Sequence, residues 1–337
     1  GNIITSGNFY SNVSALNDIV VVKYNQAGTQ LWADVIAGTG SGNDKVSDII
    51  TDNSNNIYVT GTLVQSGSNS DLFAAKIAAN GSILWNSTYN SGGIRADAGL
   101  SLCVDKNSEV YCTGYTVVTV TNRDILTVKF NSVGLLQWGQ QLVNPSGGIN
   151  SANSISADTS GNIFLTGKYL NGNYYNIIAA RYNSSGSLMI KLFYAGTGGD
   201  CEGVSGYLNS TGDYIIGANA YEYPQKQNME LLSFAKSSFA IQMKVTVGIE
   251  GLWNGAAQSR DSLIVYLRIS AAPFDKVDSA VAYLNTTCDD TVSFFNAPAA
   301  SYYVSVSHRN SLETWTTGTQ ALSPGSYFIQ DFTSSQS

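Results

Sequence analysis

Short alternations of apolar and polar residues, separated by turn residues, run along the whole chain. One stretch contains four such segments, VSDIIT (46–51), NIYVTG (56–61), LFAAKI (72–77) and ILWNST (83–88). A period of two is typical of β-strands, and the Gly, Asn and Asp residues between the segments favour turns. In NIYVTG the alternation places Ile57 and Val59 on one face and Tyr58 and Thr60 on the other. One such sheet cannot bury both faces, so the pattern predicts sheets that stack on one another.

The four-strand unit is repeated along the chain. A closing glycine follows the second segment of each copy at Gly7, Gly61, Gly114, Gly167 and Gly217. An Asp or Asn precedes the third segment at positions spaced 53, 53, 52 and 52 residues apart, namely Asp18, Asp71, Asp124, Asn176 and Asn228. Five residues later stand Lys23, Lys76, Lys129, Arg181 and Ser233. The fourth segment carries Trp32, Trp85 and Trp138, and then Ile190 and Gln242.

We call these repeated positions the landmarks of the repeat. They predict a β-propeller-like array of about five four-stranded repeats in residues 1–243. The predicted repeats are 1–44, 45–97, 98–150, 151–201 and 202–243. Four strands in about 50 residues match one propeller blade. The first copy starts directly at its GNIITSG segment, so its sheet is predicted to lack one strand.

The repeat resembles the bacterial β-propeller repeat called SBBP. The resemblance rests on a pattern of GNIYVTG, then Asp, then AKI, then NG and LW. The second copy matches this pattern closely, and the fifth copy matches it poorly. The family implies a propeller fold in an exported surface protein, and it implies no catalytic residue. The resemblance therefore predicts an extracellular or cell-surface location.

Residues 244–337 lack the landmarks and are predicted to form a β-sandwich. Their alternating segments are 244–251, 262–269, 279–285, 291–295, 301–308 and 326–332. Six or seven short strands at this spacing indicate a small antiparallel sandwich. This region resembles an Ig-like or transthyretin-like module of exported proteins from Bacteroidetes-like bacteria. The resemblance rests on the segments GLWNGAA, VYLR, VDSAVAYLN and YYVSVSHRNSLETW.

Composition and charge narrow the set of partners. Charged residues make up 12% of the chain, and the formal net charge is −7. Without an excess of Lys and Arg, nucleic acid is not an expected partner. No apolar run is long enough to cross a bilayer, so no membrane span is predicted in this chain.

The sequence offers no recognisable catalytic or metal set. His308 is the sole histidine, so neither a Ser-His-Asp triad nor a multi-His metal site is expected within the chain. His308 is expected to have a structural role near a strand end. The turns at 52–55, 105–108 and 158–161 carry too few carboxylates for an EF-type calcium loop. We therefore expect no cofactor, no metal and no enzymatic activity, although the carboxylates Asp289 and Asp290 leave a glycosidase open in principle.

The repeated charges and tryptophans are expected to be structural. An offset of five places Asp71 and Lys76 on opposite faces of a strand, so they cannot pair within one sheet. An Asp that closes a turn, a Lys stem packed over an aromatic ring or a contact between blades explains the pattern better. The tryptophans are expected in the core or between blades.

The cysteines suggest one disulfide. In LCVDKNSEVYC a two-residue turn at 107–108 would place Cys103 directly opposite Cys112, close enough for a modestly strained bridge. A link between Cys201 and Cys288 is a weaker expectation.

Three function classes follow from these features. The preferred hypothesis is a non-enzymatic structural or adhesive surface protein that binds partner proteins or assembles with itself. Glycan binding by exposed Tyr and Trp rings is the alternative, and a propeller hydrolase is the third. The strand missing from the first sheet also suggests a fibre in which one molecule adds a strand to the next.

Overall fold

The computed structural model describes residues 1–11, 16–65, 69–92, 96–221, 227–248, 261–308 and 313–333. Apart from one short 3-10 helix, Lys236–Phe239, every regular element in these segments is a strand. The chain divides into two compact units. The first comprises Gly1–Gly186, Lys191–Ser210 and Tyr214–Ser233, and the second Ser187–Ile190, Thr211–Asp213 and Phe234–Ser337.

Five antiparallel sheets follow one another along the repeats. The first contains β1 (Ile3–Ser11), β2 (Leu16–Tyr24) and β3 (Gln30–Ile36). The second contains β4 (Lys45–Thr51), β5 (Ile57–Gln65), β6 (Asn69–Ile77) and β7 (Ile83–Tyr89). The third contains β8 (Asp97–Val104), β9 (Val110–Thr119), β10 (Asn122–Phe130) and β11 (Leu136–Leu142). The fourth contains β12 (Ser151–Ala157), β13 (Ile163–Asn171), β14 (Tyr174–Tyr182) and β15 (Leu188–Tyr194), and the fifth β16 (Glu202–Leu208), β17 (Tyr214–Tyr221) and β18 (Gln227–Phe234).

The sheets stack in chain order because both of their faces are apolar. Ile57 and Val59 of β5 share a buried cluster with Ile19 and Val21 of the first sheet. On the opposite face, Tyr58 lies in a second cluster that includes residues of the third sheet. The two faces of NIYVTG are therefore buried against different neighbours, as the alternation predicts.

The two end sheets differ from the three internal ones. In the described residues, the first and fifth sheets have three strands each, whereas the second, third and fourth have four. The three-stranded first sheet was predicted, and the three-stranded fifth sheet was not. The strand β19 (Ile241–Thr246), where the fifth copy would place its last strand, pairs with strands of the second unit instead.

The second unit contains two sheets around a common core. One sheet has the order β22 (Asp289–Phe294), β19 and β26 (Tyr327–Asp331). The other contains β20 (Asp261–Ile269), β21 (Lys276–Leu284), β23 (Ala300–Ser307), β24 (Thr314–Trp315) and β25 (Gln320–Leu322). Buried residues of both sheets, such as Met243 and Val265, belong to one hydrophobic cluster, which gives a sandwich. The sandwich was predicted to be antiparallel, and its described strand pairs are so except that β19 runs parallel to β26.

Candidate functional site

The described residues contain no group of three or more His, Cys, Asp or Glu that could hold a metal ion. No helix among them is long and apolar enough to cross a membrane. We first describe where the structure places the repeated residues, and then the exposed face of one sheet of the second unit.

The landmark tryptophans join consecutive sheets. The indole Nε1 atoms of Trp32, Trp85 and Trp138 donate to carbonyl oxygens of the next copy at 3.3, 3.2 and 3.2 Å, with Ala79, Ser132 and Ser184 as the acceptors. Each ring also lies against the turn glycine of that next copy, at Gly81, Gly134 and Gly186. These glycines have positive φ, a conformation that favours glycine, and an added Cβ would lie 3.0, 2.7 and 2.7 Å from the nearest indole atom.

The landmark lysines lie over aromatic rings or reach the next copy. Lys76 Nζ is 5.2 Å from the ring centre of Tyr58, and Lys129 Nζ is 5.1 Å from that of Tyr111. Lys23 Nζ instead donates to the carbonyl oxygen of Ala79 at 2.8 Å. These contacts are cation–π and hydrogen-bonding interactions that order the array.

The landmark aspartates bind within their own copies. Asp71 accepts a hydrogen bond from Asn90 Nδ2 at 2.8 Å. Asp124 accepts the backbone N–H of Asn144 at 3.0 Å. Asp18 lies on β2 opposite Phe9 of β1. These two hydrogen bonds therefore do not join Asp71 to Lys76 or Asp124 to Lys129.

A second repeated position was missed in the sequence because its residue type changes. In each sheet from the second onwards, a buried hydrogen-bond acceptor lies just before or at the start of the first strand. The residues at this position are Asp44, Asp97, Asn150 and Cys201. Asp44 accepts the backbone N–H groups of Gly38 and Val64, both at 2.7 Å. A spacing near 53 residues was the available signal, but the change from Asp to Asn to Cys concealed it.

Cys201 occupies this position in the fifth sheet. Its Sγ accepts the backbone N–H groups of Gly196 at 3.2 Å and Tyr221 at 3.3 Å. The thiol is therefore a substitute for a carboxylate acceptor. A disulfide from Cys201 to Cys288 is not formed, since both residues are free thiols in the described chain.

The predicted disulfide between Cys103 and Cys112 is also wrong. Cys103 lies opposite Tyr111, and Cys112 lies opposite Leu102. Five residues, 105 to 109, separate the last pair of the hairpin, and Ser108 has φ +60. This odd number shifts the register by one relative to a two-residue turn, so the two cysteines point to opposite faces and are free thiols.

His308 has a partner that the sequence did not identify. Its Nε2 lies 3.2 Å from Oδ2 of Asp261, and its side chain is buried. Residues 307 and 261 end and begin the adjacent strands β23 and β20, so the pair lies at one end of this sheet.

The sheet that contains β20, β21, β23 and β24 has one face in the sandwich core, and its opposite face carries aromatic and aliphatic side chains. We call it the outer sheet face and define it by Ile264, Tyr266, Arg268, Val281, Tyr283, Tyr303 and Trp315. The intervening residues Leu263, Val265 and Leu267 point into the core. Ile264 lies directly opposite Val281, and the exposed fractions of Val281 and Tyr283 are 48% and 72%.

Arg268 is held firmly in the middle of this face. Its Nε and Nη2 atoms donate to Oε1 of Glu313 at 3.0 and 2.7 Å. Its guanidinium carbon lies 4.6 Å from the centre of the Trp315 ring. Partial burial raises the pKa of Glu313, but hydrogen bonds from Ser305 and Arg268 outweigh burial and hold this pKa below its usual value. The charge of Arg268 is thus compensated, which lowers the penalty for removing the face from water.

Phe274 closes the aromatic end of the face. It has φ +60, a conformation that a bulky side chain rarely adopts. Its ring packs edge-on against Tyr303 and Trp315 at centroid distances of 5.7 and 6.1 Å. The rings of Tyr303 and Trp315 are tilted by 59° to each other, so the three rings do not form a flat platform.

Stacked antiparallel sheets with inter-sheet tryptophans define a propeller-type repeat protein. In agreement, a family model described as "SBBP: Beta-propeller repeat" matches residues 137–168. No curated protein matches the chain. The Ig-like or transthyretin-like module and the bacterial group expected from the sequence are not confirmed by these comparisons.

Solved structures similar to the chain include propeller-type enzymes. A gluconolactonase from Xanthomonas campestris is 10% identical, with 86% of each chain covered and a TM-score of 0.37. An ulvan lyase, a polysaccharide lyase, is 11% identical over 88% of this chain and 77% of its own, with a TM-score of 0.39. A ligand-bound ulvan lyase structure is 11% identical over 83% and 70%, with a TM-score of 0.36.

These neighbours correct the prediction that the chain is not an enzyme. That prediction rested on the lack of a Ser-His-Asp triad and of a multi-His site, and the similarity to a gluconolactonase and an ulvan lyase contradicts it. At such low TM-scores, the reaction that a neighbour catalyses cannot be transferred to this chain. No activity is therefore assigned.

Proposed function

We propose that this protein is an exported surface protein that adheres to partner proteins through the outer sheet face. The observation that carries the proposal is the composition of that face. Tyr, Trp and Arg are the residues enriched at protein interface hot spots, and Arg268 with Trp315 forms a pre-ordered pair of this kind. Ile264 and Val281 add an aliphatic surface beside them.

The exported setting rests on composition and on the repeat. Only 12% of the residues are charged, and the polarity comes from Ser, Thr, Asn and Gly. The SBBP resemblance implies the same setting. The propeller-type array would then serve as a rigid scaffold for the adhesive unit.

Glycan binding is the second candidate, and the exposed ring of Tyr283 favours it. A sugar ring stacks best on a flat open aromatic surface. Phe274 packs edge-on against Tyr303 and Trp315, and the latter two rings are tilted by 59° to each other. On this face, Tyr283 is the more exposed ring. We therefore rank protein partners ahead of glycans.

Self-assembly into a fibre by strand addition is a second part of the proposal, and it uses a different surface. Its basis is β1, which pairs with β2 on one side and has an open edge on the other within the described residues. An open edge presents unpaired N–H and C=O groups to a strand from another molecule.

The adhesion proposal is tested with a matched pair of variants in the second unit. The first variant is Ile264→Ser with Val281→Ser and Tyr283→Ser. The control is Tyr327→Ser with Ile329→Ser, which removes exposed apolar side chains from the other sheet. Beads coated with each protein are mixed with bacterial cells before and after protease treatment of the cells, and each protein is applied to a glycan array.

We expect the outer-face variant to retain at least about tenfold fewer cells, because hot-spot residues dominate the affinity of an interface. The control should retain as many cells as the unmodified chain, and protease treatment should abolish retention. Equal retention by both variants would contradict the proposal. Retention that survives protease, together with glycan-array signals lost in Tyr283→Ser alone, would favour the glycan alternative.

A further inference from the structure

Each sheet of the array has two distinct faces. We call the face directed to the next sheet in chain order the trailing face, and the face directed to the preceding sheet the leading face. Leu72 and Ala74 on β6 belong to the trailing face of the second sheet, because they share a cluster with Leu102 and Val110 of the third. Phe73 and Ala75 belong to its leading face and cluster with the first sheet.

The trailing face is fully buried in four sheets and open in the fifth. The two positions that follow each Asp or Asn landmark are Ile19 and Val21, Leu72 and Ala74, Ile125 and Thr127, Ile177 and Ala179, and Met229 and Leu231. The first four pairs are 0% exposed. Met229 and Leu231 are 91% and 77% exposed. Both positions of the fifth sheet are apolar, as in most of the other sheets, although nothing in the described chain covers them.

The leading face of the first sheet is open in the same way. Phe9 lies opposite Asp18, as Leu63 lies opposite Asp71, and Ile3 corresponds to Ile57 by the same register. Ile57 and Leu63 are buried, whereas Ile3 and Phe9 are 58% and 36% exposed. Because all four of these side chains are exposed, the two faces do not pack against each other within one molecule.

We infer that the trailing face of the fifth sheet binds the leading face of the first sheet in a second copy of this chain. The contact would repeat the geometry that the molecule already makes four times between its own sheets. The chemistry also matches, since both faces are apolar and Ser233 replaces the cation that stands at Lys76, Lys129 and Arg181. Met229 is an unbranched side chain that adapts readily to an irregular apolar surface.

Such a contact is heterologous, because different surfaces of the two molecules meet. It therefore propagates head to tail, and it closes only if the rotation between copies completes a ring. The inference deepens the assembly part of the proposed function by replacing strand addition at an edge with packing of two faces. The adhesion part concerns another surface and is tested separately, so the failure of one leaves the other standing.

The test uses three variants of the full chain. Met229→Asp with Leu231→Asp blocks the trailing face, and Ile3→Asp with Phe9→Asp blocks the leading face. The control is Leu84→Asp, an exposed apolar position on β7 that belongs to neither open face. Molar mass is measured by light scattering from about 1 µM to about 1 mM, a range that covers weak to moderate affinities. Circular dichroism establishes that each variant is folded.

We expect the unmodified chain and Leu84→Asp to exceed 35.8 kDa progressively as concentration rises, whereas each blocked variant alone stays at that mass. An equimolar mixture of the two blocked variants should stop at twice that mass, since one supplies the intact leading face and the other the intact trailing face. A constant mass of the unmodified chain would overturn the inference. Association of either blocked variant by itself, or a mixture that stays monomeric, would overturn it as well.

Discussion

The internal sheets and the end sheets carry the same sequence motif but impose different conditions on it. In the second, third and fourth sheets the closing glycine cannot be replaced, because an added Cβ at Gly61, Gly114 or Gly167 would overlap a carbonyl oxygen of the neighbouring first strand. At Gly7 and Gly217, in the end sheets, the same Cβ would meet nothing within 4 Å. A repeated residue therefore need not have a repeated role.

The difference has a structural cause. In each internal sheet the first strand contains a register shift beside the residue that faces the glycine, as between Val46 and Asp48 opposite Gly61. At this position the two backbones approach each other closely, which a glycine permits. The first sheet lacks this strand among the described residues. In the fifth sheet the equivalent position is Ala218, opposite Gly203, and Gly217 is displaced by one.

The largest expected effect is therefore a contrast between two Gly→Ala variants. Gly114→Ala forces two strands apart and should lower the free energy of unfolding by about 2 to 4 kcal/mol. Gly217→Ala should change it by less than about 0.5 kcal/mol. Urea unfolding followed by tryptophan fluorescence measures both. Equal losses would show that the end sheet is built like an internal one.

The buried acceptor position gives the next contrast. Asp44→Ala leaves the N–H groups of Gly38 and Val64 without their acceptor, so we expect a loss of about 2 to 3 kcal/mol. Cys201→Ala should lose about 1 kcal/mol, because sulfur is a weak acceptor. Asp44→Asn keeps one oxygen and serves as the conservative control with an intermediate loss. A larger loss for Cys201→Ala than for Asp44→Ala would contradict this ranking.

The sequence predicted the stacked sheets because period-two alternation and the spacing of landmarks are local properties of the chain. It could not predict the register of a hairpin, which depends on a single left-handed residue such as Ser108. The proposed disulfide failed for that reason. The outer sheet face was missed because Arg268, Tyr303 and Trp315 lie on three different strands and meet only through long-range pairing.

Alkaline pH should weaken the internal interfaces. Burial raises the pKa of the Cys112 thiol from 9.0 to about 12, and burial likewise raises the pKa of Tyr58 and Tyr111. Above pH 9 the unfolded chain releases the Cys112 proton while the folded chain retains it. Stability contributed by this group is therefore present below pH 9 and is lost as pH rises towards 12, at up to about 1.4 kcal/mol per pH unit.

This prediction is measured by urea unfolding at pH 8, 10 and 11. Cys112→Ala should be less stable at pH 8, since it leaves a cavity, but its stability should fall less steeply with pH. A native thiol titration at pH 8 should find Cys103 and Cys112 slow to react, and both should react at once in urea. An identical pH slope for Cys112→Ala and the unmodified chain would contradict the assignment.

The smallest contrast concerns two buried tyrosine hydroxyl groups, and it is a contrast of sign. The hydroxyl of Tyr58, in an internal sheet, donates to Oδ2 of Asp52 at 3.0 Å, whereas the hydroxyl of Tyr214, in the fifth sheet, has no hydrogen-bond partner among the described residues. Tyr58→Phe removes a made bond and should lower the free energy of unfolding by about 1 kcal/mol. Tyr214→Phe removes a buried polar atom that gained nothing, so it should raise that free energy by up to about 1 kcal/mol. Both rings keep their packing, including the contact of Tyr214 with Phe164 at 5.7 Å. A loss of stability in both variants would mean that the Tyr214 hydroxyl has a hydrogen-bond partner, such as an ordered water, and would contradict the predicted contrast.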